Sequence, residues 1–529
     1  MSVKFKKFTM NYLKFEKNYI KKKWSGKLAI ALVFPNFYKI GMSNLGFLTI
    51  YEGLNKYDEI VCERVFLPEN NEKIVSIENN RILKDFDIIL FSIAFEIDYI
   101  NAIKILIKSK ISLNPEERNI PIFAGGVATW LNPEPISEFV DGFLLGEWEE
   151  IENKIVPLFL EYKDEKNKLL SELNKFDFFY APKIENKKYI KVIKIKNPQN
   201  VLFSSLLSKK AEFSNTYLME VSKGCGKGCR FCAAGFLYRP PRSYSEDALK
   251  KIIDKIPENS KVGLIGLEFA DKHEVLYIAK RLLEKNITLT FSSLRIDALS
   301  EEFLECLKST KSVAIAPETG SEKLKKIINK VISEENILEV LEKFQKKGIK
   351  KVKVYFMLGL PFETIEDLEH TVKFIKKLIK QKFKLIFSFS FSFFVPKPHT
   401  PFQWHTFLDL KELKYKETFI RKSLSSVKNI KIDPPKGALL QTIISRGDKS
   451  IGKFLIALAT GISLKKALKS ISNLNLILAP GKNLDIYFPW DKIDIGVKKK
   501  YLWEEWKKAC ELKTTSFCNP KICKKCGAC

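Results

Sequence analysis

Three closely spaced cysteines carry the clearest chemistry in this sequence: Cys225, Cys229 and Cys232. The C-x3-C-x2-C spacing places three thiolates on one short loop, and the glycines among them allow that loop to fold tightly. A [4Fe–4S] cubane has four irons, so three cysteines would leave one iron without a protein ligand. Because the loop directly follows a predicted strand, we expect such a cluster here. The alternative is a zinc site completed by a distant fourth ligand.

A second group of cysteines lies near residue 529: Cys518, Cys523, Cys526 and Cys529. Four thiolates within twelve residues suit either an auxiliary iron–sulfur cluster or a zinc knuckle. The dense spacing within one segment favours iron–sulfur, and neighbouring lysines would offset the thiolate charge.

The remaining cysteines are expected to be packed core thiols, because Cys62 falls on a predicted buried strand and Cys306 and Cys510 fall on predicted helices. No apolar segment typical of a secretory signal follows the first residues, and the longest apolar runs, such as Leu385–Val395, are only strand-sized. We therefore expect a soluble, cytoplasmic protein whose clustered cysteines bind metal rather than form disulfides.

The charge of the chain is strongly positive: 90 basic residues against 62 acidic ones give a formal net charge of +28. Only ten of the basic residues are arginines. An RNA-binding face and a merely solvated, lysine-rich surface both account for this composition. Arginine's planar fork grips carboxylates and phosphates, so Arg295, at the end of a predicted strand, is a candidate binding residue.

The first half of the sequence predicts a doubly wound parallel sheet. A basic segment at 1–27 precedes a domain at 28–150, in which short apolar strands alternate with helices such as Leu45–Leu54. The predicted strands are Leu28–Phe34, Ile60–Phe66, Asp87–Phe95 and Ile120–Ala124. Such sheets bind ligands at the carboxyl ends of their strands. The loops expected to line that edge are Phe37–Gly46, Phe95–Tyr99 and Gly125–Pro135. A helical, partly exposed connector is expected at 151–212.

Residues 213–430 predict a larger βα repeat, an open and partial barrel with its chemistry at the carboxyl ends of the strands. The six predicted strands are Tyr217–Val221, Val262–Leu267, Thr288–Ser292, Ser312–Ala316, Val352–Leu358 and Leu385–Phe393. Capping boxes are predicted at Ser243 and Thr364, each with an acidic residue three positions on, and Gly348 is a helix stop. Residues 431–529 are expected to be helical before the second cysteine group.

The motif Cys225–Cys232, with an aromatic residue before its last cysteine, resembles the signature of the radical S-adenosylmethionine (SAM) superfamily. That resemblance implies a partial TIM-type barrel whose cluster chelates SAM and cleaves it reductively to a 5′-deoxyadenosyl radical. It also implies a set of SAM contacts after the barrel strands. These are Gly266 and Glu268, Glu318 and Ser321, and Gly359 and Pro361. The first glycine of the family's glycine–glycine–glutamate segment is replaced in this sequence.

The resemblance extends to one branch of the superfamily, which carries an N-terminal cobalamin-binding-type domain and has no assigned reaction. It rests on segments such as Arg230–Pro240, Tyr355–Pro361 and Phe394–Trp404, and the last is also similar to methylthiotransferases of tRNA and ribosomal protein. Cobalamin domains of this type use a histidine as cobalt ligand, but the first histidine here is His273. Cobalamin, if used, is therefore expected without histidine ligation; the alternative is a domain that has lost the cofactor.

The sequence leaves three functions open. The first is a radical SAM enzyme, of transferase type, that methylates or inserts sulfur into RNA or a ribosomal protein, with a flavodoxin- or ferredoxin-type electron donor. The second is a radical SAM enzyme acting on a small molecule in lipid or cofactor biosynthesis. The third is a non-catalytic iron–sulfur module for RNA binding or assembly.

Overall fold

The computed structural model describes residues 11–529 apart from 71, 185–188, 269, 271, 292–293, 309 and 382. The first part of the predicted basic segment and the predicted strand end at Ser292 lie outside these residues. None of the helices in the described ranges is long and apolar enough to cross a membrane.

A six-stranded sheet, here called the N-terminal sheet, forms the first part of the molecule. In spatial order its strands are Ile60–Phe66, Leu28–Phe34, Ile88–Ser92, Ile122–Gly125, Gly142–Leu144 and Phe179–Tyr180. All neighbours are parallel except the last pair. Every residue of the strand Leu28–Phe34 is buried, as a strand covered by helices on both faces requires. The sequence predicted four of these strands and missed the two shortest.

The chain order reverses at the strand Leu28–Phe34, which pairs with Ile60–Phe66 on one side and with Ile88–Ser92 on the other. This arrangement makes the sheet a doubly wound, Rossmann-like one. Its helices are Tyr38–Gly41, Leu45–Leu54, Asp98–Lys108, Val127–Leu131, Trp148–Glu161 and Lys166–Leu173. The switch point lies between the strands Leu28–Phe34 and Ile88–Ser92, where such folds bind ligands.

A partial βα barrel follows and is built from two four-stranded sheets. The first contains Phe203–Ser204, Tyr217–Glu220, Lys261–Ile265 and Thr288–Phe291, and the second contains Ser312–Glu318, Lys351–Leu358, Ile386–Phe393 and Ile430–Ile432. The backbone N–H of Leu294 donates to the carbonyl of Ala314 across their junction, at 3.0 Å. The six predicted strands are present in order. A seventh parallel strand, Ile430–Ile432, corrects the expectation that this part of the chain turns helical.

Helices cover the outside of the barrel. They are Ala234–Leu237, Glu246–Ile253, His273–Glu284, Glu301–Glu305, Glu322–Ile327, Glu334–Lys346 and Ile365–Lys380. The capping box at Thr364 and the stop at Gly348, with φ of +83°, are confirmed. The capping box at Ser243 is wrong: Ser245 caps the helix by accepting from the N–H of Ala248, while Ser243 lies in a two-residue strand.

The region after residue 430 is largely helical, with Pro435–Arg446, Gly452–Ala459, Leu464–Ala467, Leu474–Leu478 and Lys499–Cys510, after a helix at Leu410–Ser423. The expected helical connector is only half helical. Beyond Leu173 it supplies short edge strands. Phe179–Tyr180 joins the N-terminal sheet, and Phe203–Ser204 joins the first sheet of the barrel.

Buried polar contacts join the N-terminal domain to the barrel and to the helical region after residue 430. Both guanidinium ends of Arg242 bind the carboxylate of Glu147 at 2.9 Å, and this pair is buried. The side-chain amide of Asn132 donates to the carbonyls of Ser445 and Gly447, at 3.1 and 2.7 Å. The N-terminal sheet is therefore fixed to the barrel by directional bonds as well as by apolar packing.

Candidate active site

The three-cysteine loop begins where the first parallel barrel strand ends. The strand Tyr217–Glu220 leads through Ser222–Lys223 into Cys225. Gly224 has φ of +76°, and a Cβ there would lie 2.3 Å from the carbonyl oxygen of Tyr238. Only glycine fits both this conformation and this space, so Gly224 turns the chain from the barrel wall into the loop.

The three thiols are largely buried. Burial, and next the charge of Glu268, raise the pKa of the Cys225 thiol to about 12, and burial also raises the pKa of Cys232. Cys229 is 8% exposed, and its sulfur accepts a hydrogen bond of 3.2 Å from Nη1 of Arg295. Free thiols at 225 and 232 would stay protonated at neutral pH, so a metal group that binds here must displace their protons.

Arg295 contacts the ligand sphere of this loop directly. Its guanidinium donates to the Asp297 carboxylate at 2.9 and 2.7 Å as well as to the Cys229 sulfur. Hydrogen bonds to cluster sulfurs are one of the means by which a protein sets a cluster's reduction potential. Arg295 was predicted to bind a carboxylate or phosphate, and in this structure the carboxylate that it binds is that of Asp297.

The donor set suits a cubane better than a single ion. Within the described residues, no three His, Cys, Asp or Glu side chains are arranged to hold one metal ion. A zinc ion draws its ligand atoms to about 2.0–2.3 Å around one point. Each thiolate of a cubane binds a different iron, so the cysteines surround the cluster instead. Three thiols on one loop, with an arginine N–H on one sulfur, fit a cubane with one iron left open.

Glu268, implied by the resemblance to bind the SAM amino group, holds the cysteine loop in this structure. Its carboxylate accepts a 2.7 Å hydrogen bond from the N–H of Gly226 and pairs with Nζ of Lys227 at 3.1 Å. Burial works to raise the pKa of Glu268, but the bonds from Gly226 and Lys227 outweigh it and lower that pKa. The carboxylate is therefore ionised beside the loop. Gly266 directly follows the strand Lys261–Ile265.

Glu318 lies near the same loop at the end of the strand Ser312–Glu318, with φ of +70°. Its carboxylate pairs with Nζ of Lys330 at 2.7 Å, and both residues are buried. The charges of this pair reach the thiol of Cys232. Glu318 therefore stands within electrostatic range of the cysteine loop, with its own charge balanced by Lys330.

The other implied SAM contacts are engaged in turns. The Ser321 hydroxyl donates to Asp367 at 2.6 Å and caps the helix Glu322–Ile327. Gly359 has φ of +76°, and its N–H donates to Glu363 at 2.8 Å. Pro361 is buried two residues on. These bonds shape the strand-to-helix turns, and the assignment of Ser321, Gly359 and Pro361 to SAM stays a prediction.

The second cysteine group meets the three-cysteine loop at Cys518. The N–H of Cys518 donates to the carbonyl of Gly226 at 2.7 Å. Burial raises the pKa of the Cys518 thiol; Arg239 opposes this, and the other three cysteines of the group add to it. The structure thus brings the two cysteine groups, almost three hundred residues apart, to one place.

The isolated cysteines divide into two kinds. Cys62 and Cys306 are buried as predicted, each 1% exposed. The prediction for Cys510 is wrong, because this residue is exposed. The buried stripe of its helix runs through Leu502, Trp506 and Ala509, and Cys510 falls one position beyond that stripe.

A cavity of about 520 Å³ separates the carboxyl edge of the N-terminal sheet from the interior of the barrel. The sheet side is formed by residues 43–46 and by Gly125–Val127, and the barrel side includes Ile265 and Phe291. Two of the three predicted loops therefore contribute. The third, Phe95–Tyr99, does not line the cavity, and the ring of Phe95 packs against Nζ of Lys397 instead.

A buried charged group lines this cavity and was missed from the sequence. Nζ of Lys223 lies 2.7 Å from Glu220 and 2.9 Å from Glu149, and the Tyr244 hydroxyl donates to Glu220 at 2.6 Å. Burial works to lower the pKa of Lys223, but the two carboxylates outweigh it and raise that pKa. The signal was two charged residues beside an otherwise apolar strand. Lys223 is two residues from Cys225, so the cavity wall continues into the cysteine loop.

Comparison with known families decides the identity of this site. The family model described as "Radical SAM proteins, N-terminal" matches residues 46–182, and that of the "Radical SAM superfamily" matches residues 219–375, which include the three-cysteine loop. The chain belongs to the radical SAM superfamily. When bound, a [4Fe–4S] cluster with one open iron supplies the electron that cleaves SAM. Cys225, Cys229 and Cys232 are the residues that would hold it.

Three relatives place this radical SAM protein more closely. "Uncharacterized protein MJ0966" of Methanocaldococcus jannaschii is 32% identical over 83% of this chain and 93% of its own length. The tRNA-2-methylthio-N(6)-dimethylallyladenosine synthase of Aquifex aeolicus is 26% identical over 36% of this chain and 46% of its own. The ribosomal protein uS12 methylthiotransferase RimO of Thermosipho africanus is 25% identical over 30% of this chain and 40% of its own. The chain thus spans less than half of either methylthiotransferase.

Among solved structures, the cobalamin-dependent SAM radical enzyme OxsB, with aqua-cobalamin and SAM bound, matches with a TM-score of 0.46 and 17% identity. The match covers 76% of this chain and 55% of OxsB. Coproporphyrinogen III oxidase (HemN) of Escherichia coli, described as a radical SAM enzyme, matches over 40% of this chain with a TM-score of 0.30.

Proposed function

We propose that this radical SAM enzyme methylates, or inserts sulfur into, one residue of an RNA or of a ribosomal protein. The observation that carries the proposal is the 520 Å³ cavity, whose wall runs through Lys223 into the cysteine loop. A group held in this cavity lies beside the site where the radical is generated. The formal net charge of +28 suits a polyanionic partner.

The size of the cavity limits what reacts. Small-molecule sites are about 300–1,000 Å³, so on its barrel side this cavity admits a single base or side chain rather than a folded segment, and its sheet side is left for a cofactor. The wall includes Trp130 and Tyr238, whose rings pack against each other with centroids 5.2 Å apart, so a flat apolar group contacts this wall favourably. The proposed substrate therefore presents one flipped-out base or one extended side chain to the cavity.

The cofactor that we assign to the edge of the N-terminal sheet is cobalamin without histidine ligation. Its support is the cavity at the carboxyl edge of the N-terminal sheet, which Gly46, Gly125 and Gly126 help to line. No histidine exists before His273 to serve as a cobalt ligand. Lys223, which lines the cavity, is already paired with Glu149 and Glu220. We expect the Co(II) form to show no nitrogen superhyperfine splitting from a protein imidazole in electron paramagnetic resonance. Absence of bound cobalamin after reconstitution would leave the degenerate-domain alternative.

The substrate is tested by mass spectrometry of rRNA, tRNA and ribosomal proteins from a strain that lacks this gene. We expect one methyl or methylthio modification to disappear and to return with the wild-type gene, but not with a gene encoding Cys225→Ala. RNA binding should also weaken steeply with salt, as counterion release requires. Unchanged modification of all three classes would contradict the macromolecular substrate.

The second candidate is a small-molecule substrate, and the cavity's volume is the observation that favours it. A small molecule of drug size would fill the cavity completely. The salt dependence separates the candidates, because a small-molecule enzyme needs no affinity for total RNA.

A further inference from the structure

The segment that carries the second cysteine group, here called the tail (513–529), is seated directly on the three-cysteine loop. A Cβ added to Gly226 would lie 2.9 Å from the carbonyl oxygen of Cys518, so the two backbones touch. Nζ of Lys227 lies 4.1 Å from the centre of the Phe517 ring. The glycine between Cys225 and Cys229 is thus what allows the tail to approach.

Buried side chains fix this arrangement from both sides. The Asn329 side chain donates to the carbonyls of Gly228 and Thr515, at 3.2 and 3.1 Å, and accepts from the N–H of Thr515 at 2.9 Å. Arg230, fully buried, donates to the carbonyl of Lys513 at 2.7 Å and to Glu505 at 3.2 Å. One amide and one guanidinium therefore hold the tail against the loop.

Arg239 stands between the two cysteine groups. Its side chain lies against Gly228, where a Cβ would meet Nη2 at 3.2 Å, and it is only 3% exposed. Its guanidinium donates hydrogen bonds to two neutral groups, the carbonyl of Gly235 at 2.9 Å and the hydroxyl of Tyr501 at 3.3 Å. In the described part of the chain, no Asp or Glu pairs with it at 4 Å or less. The Cys526 thiol lies within electrostatic range of its guanidinium.

A buried guanidinium needs an anion, because an unpaired buried charge is strongly destabilising. Protonated thiols cannot supply that anion, but thiolates held by a metal group can. Arg239 lies beside the Cys526 thiol of the tail, as Arg295 lies beside Cys229 of the first loop, and Arg295 also pairs with the carboxylate of Asp297. Each cysteine group therefore has its own arginine.

We propose that Cys518, Cys523, Cys526 and Cys529 hold a second iron–sulfur cluster, with Arg239 as its counter-charge, and that this cluster passes electrons to the first. The proposal rests on the radical SAM site described above. Iron–sulfur is favoured over zinc because the tail touches the first loop, where an iron–sulfur cluster can pass on an electron and a redox-inactive zinc ion cannot.

The surroundings of the tail suit a docking electron carrier. Cys529 is exposed, Cys526 is buried, and Lys521, Lys524 and Lys525 are exposed beside them. An acidic one-electron donor of flavodoxin or ferredoxin type would meet this basic surface. The donor loses one electron, the tail cluster gains it and passes it to the first cluster, and SAM cleavage consumes it. The tail cluster returns to its oxidised state after each event.

Metal analysis of the full chain, reconstituted anaerobically, tests the site itself. We expect about eight irons and eight sulfides per chain, the sum of two cubanes, and about four of each in Cys523→Ser/Cys529→Ser. The matched control is Cys510→Ser, an exposed cysteine at the end of the adjacent helix, which should keep about eight. Four irons with one zinc, or four irons with four alkylatable tail thiols, would overturn the proposal.

Electron delivery tests the role. In Cys523→Ser/Cys529→Ser, SAM cleavage driven by reduced flavodoxin should fall roughly ten-fold more than cleavage driven by dithionite, which reaches the first cluster by itself. Equal losses with both reductants would contradict the relay. If the wild-type chain binds about four irons at the tail alone and cleaves no SAM, the radical SAM function fails while the second site stands.

Arg239 gives a separate readout. Arg239→Lys keeps the positive charge and should keep the tail irons, whereas Arg239→Met should lose them and leave the thiols open to alkylation. Full tail iron in Arg239→Met would show that the guanidinium is not the counter-charge.

Discussion

The two cysteine groups meet in space but are built in different ways. The first loop follows a parallel strand and is turned by Gly224 and Gly228, with φ of +76° and +71°, and Glu268 and Asn329 then hydrogen-bond to its backbone. The tail follows a helix and is held by side chains from elsewhere, chiefly Asn329 and Arg230. Both groups can be recognised from their cysteine spacing, but the position of the tail depends on distant partners and cannot be predicted from the sequence. The difference also predicts which changes each group tolerates.

The largest effect is expected at the first loop. Replacing Cys225, Cys229 or Cys232 by Ala should abolish formation of 5′-deoxyadenosine, because two thiolates cannot hold a cubane with one open iron. Mass spectrometry of the nucleoside measures this, with Cys510→Ala as the control of unchanged activity. Undiminished product from any of the three variants would show that these cysteines do not hold the cluster that cleaves SAM.

The next effect separates backbone strain from crowding. In Gly224→Ala the new Cβ is strained by the positive φ and would lie 2.3 Å from the Tyr238 carbonyl oxygen. We expect this variant to lose about 3 kcal/mol of stability and to lose iron at the first loop. Gly348→Ala has a similar φ but open space, and should cost only about 1 kcal/mol. Thermal unfolding of both variants gives the comparison. Equal losses would show that the Tyr238 contact does not constrain the loop.

A smaller effect is expected where the two groups touch. Gly226→Ala has no conformational penalty from a positive φ, but its Cβ would press on the Cys518 carbonyl. We expect hydrogen exchange at Cys518 to rise about ten-fold, since its bond to Gly226 is lost. Gly46→Ala, whose Cβ would meet nothing closer than 3.4 Å, is the control. Unchanged exchange at Cys518 would show that the tail does not rest on this loop.

The smallest effect concerns the first arginine. Arg295→Leu removes the donor to the Cys229 sulfur, so the cluster potential should become more negative by roughly tens of millivolts. Redox titration followed by electron paramagnetic resonance measures it, with Arg281→Leu, an exposed arginine, as the control. A potential within error of wild type would mean that the bond does not tune the cluster.

Much of the fold was predictable because long apolar runs mark long strands. Leu28–Phe34 and Ile60–Phe66 were predicted to the residue, since each is an unbroken buried strand. Strands of two or three residues, such as Gly142–Leu144 and Ile430–Ile432, were missed, because their pairing depends on neighbours distant in sequence. The expected cap at Ser243 failed for a similar reason, since its pairing with Ser222 overrides the local signal.

The parts of the site that depend on residue spacing could be predicted from the sequence, and the parts that depend on packing between distant segments could not. Both cysteine groups were found from spacing alone. The contact between them, the role of Arg239 and the ionic group around Lys223 all require side chains from remote segments. Cys510 shows the limit within one helix, because a shift of one position moves a residue out of the buried stripe.

Cleavage of SAM by the intact chain tests the central claim most directly. Full-length protein, reconstituted anaerobically with iron and sulfide, is reduced with dithionite and mixed with SAM, and 5′-deoxyadenosine and methionine are quantified. The account predicts that both form in equal amounts and that Cys225→Ala forms neither. A chain that binds a reducible [4Fe–4S] cluster at Cys225, Cys229 and Cys232 yet cleaves no SAM would contradict it.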